Sequence, residues 1–368
     1  MKNGRTVCRH CVAKRLASAF TKGWCKLMVQ RRAAVVYDVA RLAGVSHQTV
    51  SRVLNDHPSV SQTTRQRVLD AVRQLDYRPN AMARGLAGRR SRIVGVVSFD
   101  TLLYGPAATL LGVEHAARAA GYGVSIATVE RIDRHAVVSA TGALAEQSVA
   151  GVVVIAPQTA AAEALHSMPA GMPAVAVEAD TDGAIPTISV NQVAGARMAV
   201  EHLLGLGHRT VWQLSGPRDW LETRGRIEGW QAALVDAGLP VPELMTGDWS
   251  ARSGYAAGLR LAARDDVTAV FAANDQMALG MMSAFHERGI RVPADVSIVG
   301  FDDIPEAEYL SPPLTTIRQD FDEVGRRCMA ALLRIIEMDR PEGPERPPAD
   351  PMVAPSLIIR HSTATPRH

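Results

Sequence analysis

From residue 93 onward the chain alternates short, nearly unbroken apolar runs with longer stretches whose apolar positions recur at helical spacing. The runs lie at 93–99 (IVGVVSF), 123–129 (GVSIATV), 151–157 (GVVVIAP), 174–179 (AVAVEA), 210–216 (TVWQLSG), 269–275 (AVFAAND) and 297–303 (SIVGFDD). Helical patterns follow them, as at 107–120, 192–205 and 276–289. Continuous β-branched runs of this length predict parallel strands covered on both faces, and the alternation with helices predicts an α/β body. That much chain exceeds one comfortable sheet, so two doubly wound lobes are expected.

The pattern before residue 93 is different. Residues 36–55, VYDVARLAGVSHQTVSRVLN, predict two short helices meeting at a glycine turn. Ala40 permits a close helix crossing, Gly44 supplies the positive φ of a tight turn, and Val45 and Val50 hold the pair together. Ser46 stands where a helix N-cap belongs. The second helix then turns His47, Gln48, Ser51 and Arg52 outward. A helix of this size fits the major groove of B-DNA, where glutamine pairs with adenine and arginine with guanine. Ser61 opens a third helix whose Val68, Leu69, Val72 and Leu75 share one face. A short apolar run, 81–88, follows Tyr77-Arg-Pro-Asn and ends in Gly88, Arg89, Arg90 and Arg92; it is too small to bury a core by itself.

Charge separates the same two regions. The net +3 of the whole chain conceals nine Lys or Arg and no acid in residues 1–34, and ten Arg against four Asp in 35–92, which leaves about −12 for the remainder. The basic end coincides with the reading motif. Phosphate neutralisation there makes DNA binding salt-sensitive, and an acidic body is kept off the DNA.

From Val35 to Arg360 the chain resembles the lac repressor family of bacterial transcription regulators, and is nearest in pattern to the family's namesake. The resemblance implies a helix-turn-helix domain at 35–78, a hinge helix and linker at 79–92, and a periplasmic-binding-protein-like α/β effector domain. The N-lobe is expected at 93–190 plus 320–345 and the C-lobe at 191–319 plus 346–368, with crossings near 189–192, 316–321 and 341–355. DNA contacts are implied for Ser46, His47, Gln48, Thr49, Ser51, Arg52 and Asn55. They are also implied for Tyr77, Asn80, Ala83, Leu86 and Ala87 in and before the hinge, where Leu86 matches the family's minor-groove wedge. His47 departs from the namesake's tyrosine, so the operator sequence does not carry over.

Ligands of open α/β sheets sit beyond the carboxyl ends of the strands. Polar residues gather there in this chain: Asp100 and Thr101, residues 215–226, Asn274 and Asp275, Asp302 and Asp303, and Gln319 at a crossing. The resemblance assigns sugar-hydroxyl contacts to Arg226, Asn274 and Asp302, a pocket ring to Trp249, apolar walls to Leu103 and Pro106, and places Gln319 and Phe321 in the same effector set. Asn274 can equally cap the helix after it, Asp302 and Asp303 can cap the turn after theirs, and Trp249 can be core. The stretch Ala156-Pro-Gln-Thr lacks an aspartate that the namesake offers, so a galactoside effector does not carry over.

The expected function is a cytoplasmic, nucleoid-associated repressor of carbohydrate-utilisation genes, a homodimer on palindromic operator DNA, released by a sugar inducer. Other members of the family need a co-repressor instead. The tail after Ser356 reads as a short strand, LIIR, and lacks the leucine heptads of a tetramer. No enzyme is expected: Gly205-Leu-Gly-His lies between a helix and a strand, the reverse of a dinucleotide fingerprint, and there is no nucleophile elbow. No cofactor and no metal are expected either, because Cys8-Arg-His-Cys11 and Cys25 lack a second CxxC pair and Cys328 sits in an apolar helical pattern. A sugar transport receptor would need a secretory leader, and 1–34 lack its apolar core. No membrane span is legible. Residues 1–34 are expected to form a basic arm, or, for 1–27, to precede a native start at Met28.

Overall fold

The structure, a computed structural model, describes residues 34–54, 57–77, 91–99, 102–129, 133–166, 168, 171–179, 181, 183, 185–338 and 351–367. The chain divides into two compact units, 1–89 and 90–368. The expected arm at 1–34 lies outside the described residues except for Ala34, and so does the expected hinge at 79–92 except for Ser91 and Arg92.

In the first unit three helices, α1 (Val36–Ala43), α2 (His47–Leu54) and α3 (Gln62–Gln74), enclose a core of Val39, Ala40, Ala43, Val50, Val53, Val68 and Ala71. Helix α1 stops because Gly44 turns left-handed at φ 63°, ψ 40°, a conformation that costs a residue with a Cβ about 1–2 kcal/mol. The Val45 amide then reaches back to the Ala40 carbonyl at 3.0 Å, satisfying an orphan acceptor of the last turn. Ser46 restarts the chain as a helix by accepting the Thr49 amide at 3.1 Å, and Ser61 does the same for Thr64 at 3.4 Å.

The second unit holds two six-stranded sheets. The first runs β11-β5-β4-β3-β1-β2, built from β1 (Ile93–Phe99), β2 (Gly123–Val129), β3 (Val152–Ile155), β4 (Ala174–Val177), β5 (Thr187–Val190) and β11 (Met352–Val353). The second runs β12-β10-β9-β8-β6-β7, built from β6 (Trp212–Ser215), β7 (Met245–Thr246), β8 (Ala269–Ala272), β9 (Ser297–Asp302), β10 (Thr315–Arg318) and β12 (Ser356–Ile358). All pairings are parallel except β10 with β12. The crossover helices α4 (Tyr104–Ala119), α5 (Arg134–Glu146), α6 (Ala161–His166), α7 (Gln192–Gly205), α8 (Leu221–Asp236), α9 (Ala251–Leu261), α10 (Asp275–Glu287) and α11 (Phe321–Met338) supply the apolar cover. Strands β3, β6, β8 and β9 are buried along their whole length, which is why they read as unbroken apolar runs.

Strand β2 departs from that expectation. It lies at the edge of its sheet, its residues alternate between exposed and half-buried, and Ile126 is 52% exposed. The chain passes between sheets at Asn191, at Gln319–Asp320 and at Ala354–Pro355. The last passage corrects the boundary expected at residue 346. Because β11 adds to the edge of β5, with Ser189 donating to the Pro351 carbonyl at 2.8 Å and Asn191 to Val353 at 2.9 Å, the first lobe runs on to Val353. Helices α4 and α11 cross closely within that lobe. A side chain at Gly112 would collide with the Phe321 carbonyl, and one at Gly325 with the backbone of Gly112.

Candidate functional site

The surface of α2 follows from its burial pattern. Val50 and Val53 point into the helical core, so the opposite side of the helix faces out: His47, Gln48, Ser51 and Arg52 are all exposed, as is Ser46 at its start. Thr49 is half-buried, and its hydroxyl lies 2.9 Å from that of Ser46, so it braces the start of the helix. The Tyr37 ring, 60% exposed, lies 5.3 Å from the His47 ring and widens the surface toward α1. Tyr77 is half-buried against the helical core, its amide bonded to the Val72 carbonyl at 3.0 Å. Asn55, Asn80, Ala83, Leu86 and Ala87 lie outside the described residues.

The second unit carries a cavity of about 240 Å³ at the carboxyl ends of its strands. Its floor is built by α8. Arg226, 3% exposed, donates through Nε to Gln192 Oε1 at 2.9 Å and through Nη1 to the Ala273 carbonyl, and Nη2 lies 3.6 Å from Asp302 Oδ1. Its guanidinium lies 3.8 Å from the Phe301 ring centre and 5.4 Å from that of Trp249. Gln319 completes the network by donating to Asp302 at 2.7 Å and accepting from Gln192 at 3.0 Å. Gln192 also reaches Glu178 at 3.4 Å, and Glu178 accepts the Val190 amide at 2.7 Å. Groups from both sheets are thereby joined through two of the crossing segments.

Burial sets the protonation of these acids. It pushes Asp302 up to about 6 against the pull of Arg226 and Gln319. It pushes Glu178 up to about 7. Glu222, one turn before Arg226 on α8, rises to about 8 through burial and then the nearby Glu178. Asp275 is raised well above the usual range by burial and by Asp302. Its role is structural, since it accepts the Ile304 amide at 2.9 Å and the Thr316 hydroxyl at 2.6 Å.

Of the eight residues expected around a ligand, Leu103, Pro106, Arg226, Trp249, Asn274, Asp302 and Gln319 line this one cavity. Phe321 does not. It backs the wall instead, edge-on to the Tyr104 ring at 5.9 Å, because the first turn of α11 packs against α4. Asn274 combines both readings offered for it: it caps α10 through the Met277 amide at 2.9 Å, and its amide donates to the Trp249 carbonyl at 3.0 Å. Trp249 is at once a core residue, 7% exposed, and part of the cavity wall. Asp302 does not cap a helix; it faces the network, while Asp303 turns away to Arg318 and Arg360, each at 2.6 Å. Trp249 and Asp302 both hold positive φ, 70° and 110°, so backbone strain is concentrated at the cavity. Asp100 and Thr101 lie outside the described residues.

Sequence reasoning missed Tyr104, Trp220, Glu222 and Gln276, which also line the cavity. The i, i+4 spacing of Glu222 and Arg226 on α8 was the available signal. Trp220 is held by a contact no sequence pattern announces, a two-residue antiparallel bridge to Gln158 in which Leu221 donates to Pro157 at 2.8 Å and Thr159 to Asp219 at 2.9 Å. The 156–159 stretch that lacks a carboxylate thus supplies backbone, and the wall's additional carboxyl group is that of Glu222. Among the described residues no group of three His, Cys, Asp or Glu could hold a metal, and no helix is long and apolar enough to cross a membrane.

Residues 35–80 match the family model for bacterial regulatory proteins of the lacI family, and residues 200–363 match that of the periplasmic binding protein-like domain. The chain is 36% identical over 334 residues to the lactose operon repressor of Escherichia coli K12, covering 90% of this chain and 91% of that protein. It is 32% identical to the ribose operon repressor of the same organism, covering 82% and 93%. The crystal structure of the lac repressor dimer bound to operator and the anti-inducer ONPF superposes with a TM-score of 0.82 at 35% identity, over 90% of this chain and all of that one.

Proposed function

Because the chain belongs to the lacI family of bacterial regulatory proteins, we propose that it represses carbohydrate-utilisation genes from an operator that α2 reads and a sugar in the 240 Å³ cavity releases. The family consists of DNA-binding transcription regulators rather than enzymes, and the repressors of the lactose and ribose operons of Escherichia coli are among the relatives this chain resembles. The observation that carries the reading is the pairing, in one chain, of an exposed helix bearing His47, Gln48, Ser51 and Arg52 with a cavity whose wall draws side chains from both sheets.

Gln48 and Arg52 are assigned to base edges in the major groove, with Ser46, Thr49 and Ser51 orienting the helix on the backbone. Asn55, Tyr77 and Asn80 are assigned to the flanking phosphates, and Ala83, Leu86 and Ala87 to the minor groove, where a leucine wedge kinks the duplex. A homodimer on a palindromic site fits this arrangement, as does action in the cytoplasm at the nucleoid. A sugar is gripped by Arg226, Asn274, Asp302 and Gln319 through its hydroxyls, and by Trp249, Leu103 and Pro106 through its apolar face.

Coupling follows from linkage. A ligand that bridges groups of the two lobes favours one relative orientation of them, and operator DNA favours another, so each lowers the affinity for the other by the same factor. The Gln192–Gln319 pair sits where the chain passes between sheets and touches both Glu178 and the Arg226–Asp302 pair. It is the piece of the cavity that a change of lobe orientation must rearrange. The test is titration of tryptophan emission with mono- and disaccharides, since Trp220 and Trp249 line the cavity. A saturable change in the wild-type protein that Arg226→Met abolishes supports the reading; no response to any saccharide sinks it.

A further inference from the structure

The cavity holds more acidic groups than basic ones. Among the described residues lining it, Arg226 is the one cation, and its donors are committed to Gln192, Ala273 and Asp302. Two carboxyl groups face it. Asp302 is answered by Arg226 and Gln319. Glu222 is half-buried, has neither a hydrogen bond nor an ion pair among the described residues, and lies near Glu178 and Asp302, two further acids at the ends of β4 and β9. Its own helix contributes Arg226 as the one group that favours its charge.

The rest of the wall is aromatic and under-partnered. Tyr104, Trp220 and Trp249 present three rings, and the two indoles meet edge to face at 5.5 Å. The Tyr104 phenol is raised by burial and then by Asp302, Asp303, Asp275 and Glu306. Trp249, 7% exposed, leaves its buried Nε1 without an acceptor, and Gln276 leaves Oε1 without a donor. Aromatic faces beside a carboxyl group with no cation of its own suit a cationic ligand.

We propose that the cavity takes a saccharide bearing a free amine, and that Glu222 is the residue that selects it. The inference rests on the effector reading given above. The ammonium supplies a counter-cation to the ionised Glu222, beside the Trp220 and Trp249 rings that line the same cavity. Since Glu222 titrates near 8 in the empty cavity, it is largely protonated at neutral pH; binding of the ammonium expels that proton to solvent, and affinity rises with pH until the ligand amine itself deprotonates.

The experiment is calorimetric titration of the full chain with matched pairs: D-glucosamine against D-glucose, D-galactosamine against D-galactose, and the β-1,4-linked glucosamine dimer against cellobiose. At least one amine is expected to bind roughly tenfold or more tighter than its hydroxyl partner, the scale of a charge-assisted hydrogen bond. Binding at pH 7 should release a proton, read from the dependence of the heat on buffer ionisation. In Glu222→Gln the preference for the amine over its hydroxyl partner and the proton release should both vanish. Neutral sugars binding as tightly as the amines would overturn this inference and leave the effector reading standing. Amine preference that survives Glu222→Gln would overturn the role of Glu222. Binding of no saccharide at all would overturn both readings together.

Discussion

Replacing Arg226 by lysine keeps the charge and removes the fork, so it isolates what guanidinium geometry contributes to the cavity. Arginine here serves three separate directions, toward Gln192 Oε1, the Ala273 carbonyl and Asp302, and lies over the Phe301 ring, 3.8 Å from its centre. A lysine carries its donors on one atom and reaches one or two of these sites. Each lost bond to a charged donor is worth about 1.5–3 kcal/mol, and a buried acceptor left alone adds a desolvation penalty, against which partial recapture by the ammonium must be set. The net loss is about 2–4 kcal/mol, within the 5–15 kcal/mol or so by which domains are stable, so the variant folds. Urea unfolding followed by tryptophan emission should show a midpoint lower by about 1 M, for a slope near 3 kcal/mol per molar. Saccharide affinity should fall by about thirtyfold or more. Operator affinity without ligand should stay within about threefold, because the reading helix belongs to the other compact unit. A midpoint within about 0.3 M of wild type, with saccharide affinity unchanged, would show that the charge alone suffices and would refute the reasoning.

Further consequences follow from single residues. Ser46→Ala removes the acceptor of the Thr49 amide, so hydrogen exchange of the first-turn amides of α2 should accelerate by about fivefold, for a loss of about 1 kcal/mol. Gln48→Ala should relax base preference at one position of each half-site by about 1–3 kcal/mol while leaving the salt dependence of binding unchanged; a shallower salt slope with intact preference would make Gln48 a phosphate contact. Asp302, Glu178 and Glu222 titrate near 6, 7 and 8, above the 3.8 and 4.5 of free side chains. The folded protein therefore binds more protons than the unfolded one across that window, and stability should fall as pH rises from about 5 to 8.5. Glu222→Gln should narrow the difference between urea midpoints at the two ends; equal differences would mean that Glu222 is not the group titrating there.

The strands buried on both faces were legible because a parallel strand under two helical layers has no solvent side to mark with polar residues, as in β3, β8 and β9. Strands β5, β7, β10 and β11 were not read as strands. They are two to four residues long, and β5, β10 and β11 adjoin the crossings, where a short segment reads as a connection. The helix-turn-helix was legible almost residue by residue, since Gly44 and Ser46 each answer a local backbone need. At the cavity, Arg226, Asn274, Asp302 and Gln319 stood out by their place at strand ends and crossings and by resemblance. Glu222 and Trp220 did not, because the bridge between Gln158 and Trp220 joins residues of different lobes and leaves no mark in either local pattern. Asn274 and Trp249 show that a capping or core role and a place in the wall coexist in one side chain.

The central claim is that one chain couples operator and sugar, and a mobility shift of the purified protein on the DNA upstream of its own gene, at physiological salt and with saccharides titrated in, tests it most directly. The account predicts a specific complex that one saccharide dissolves in the wild-type protein and that takes about thirtyfold more of it, or beyond, to dissolve in Arg226→Lys. A complex that forms only after a saccharide is added, or one that no saccharide affects at any concentration, would contradict it.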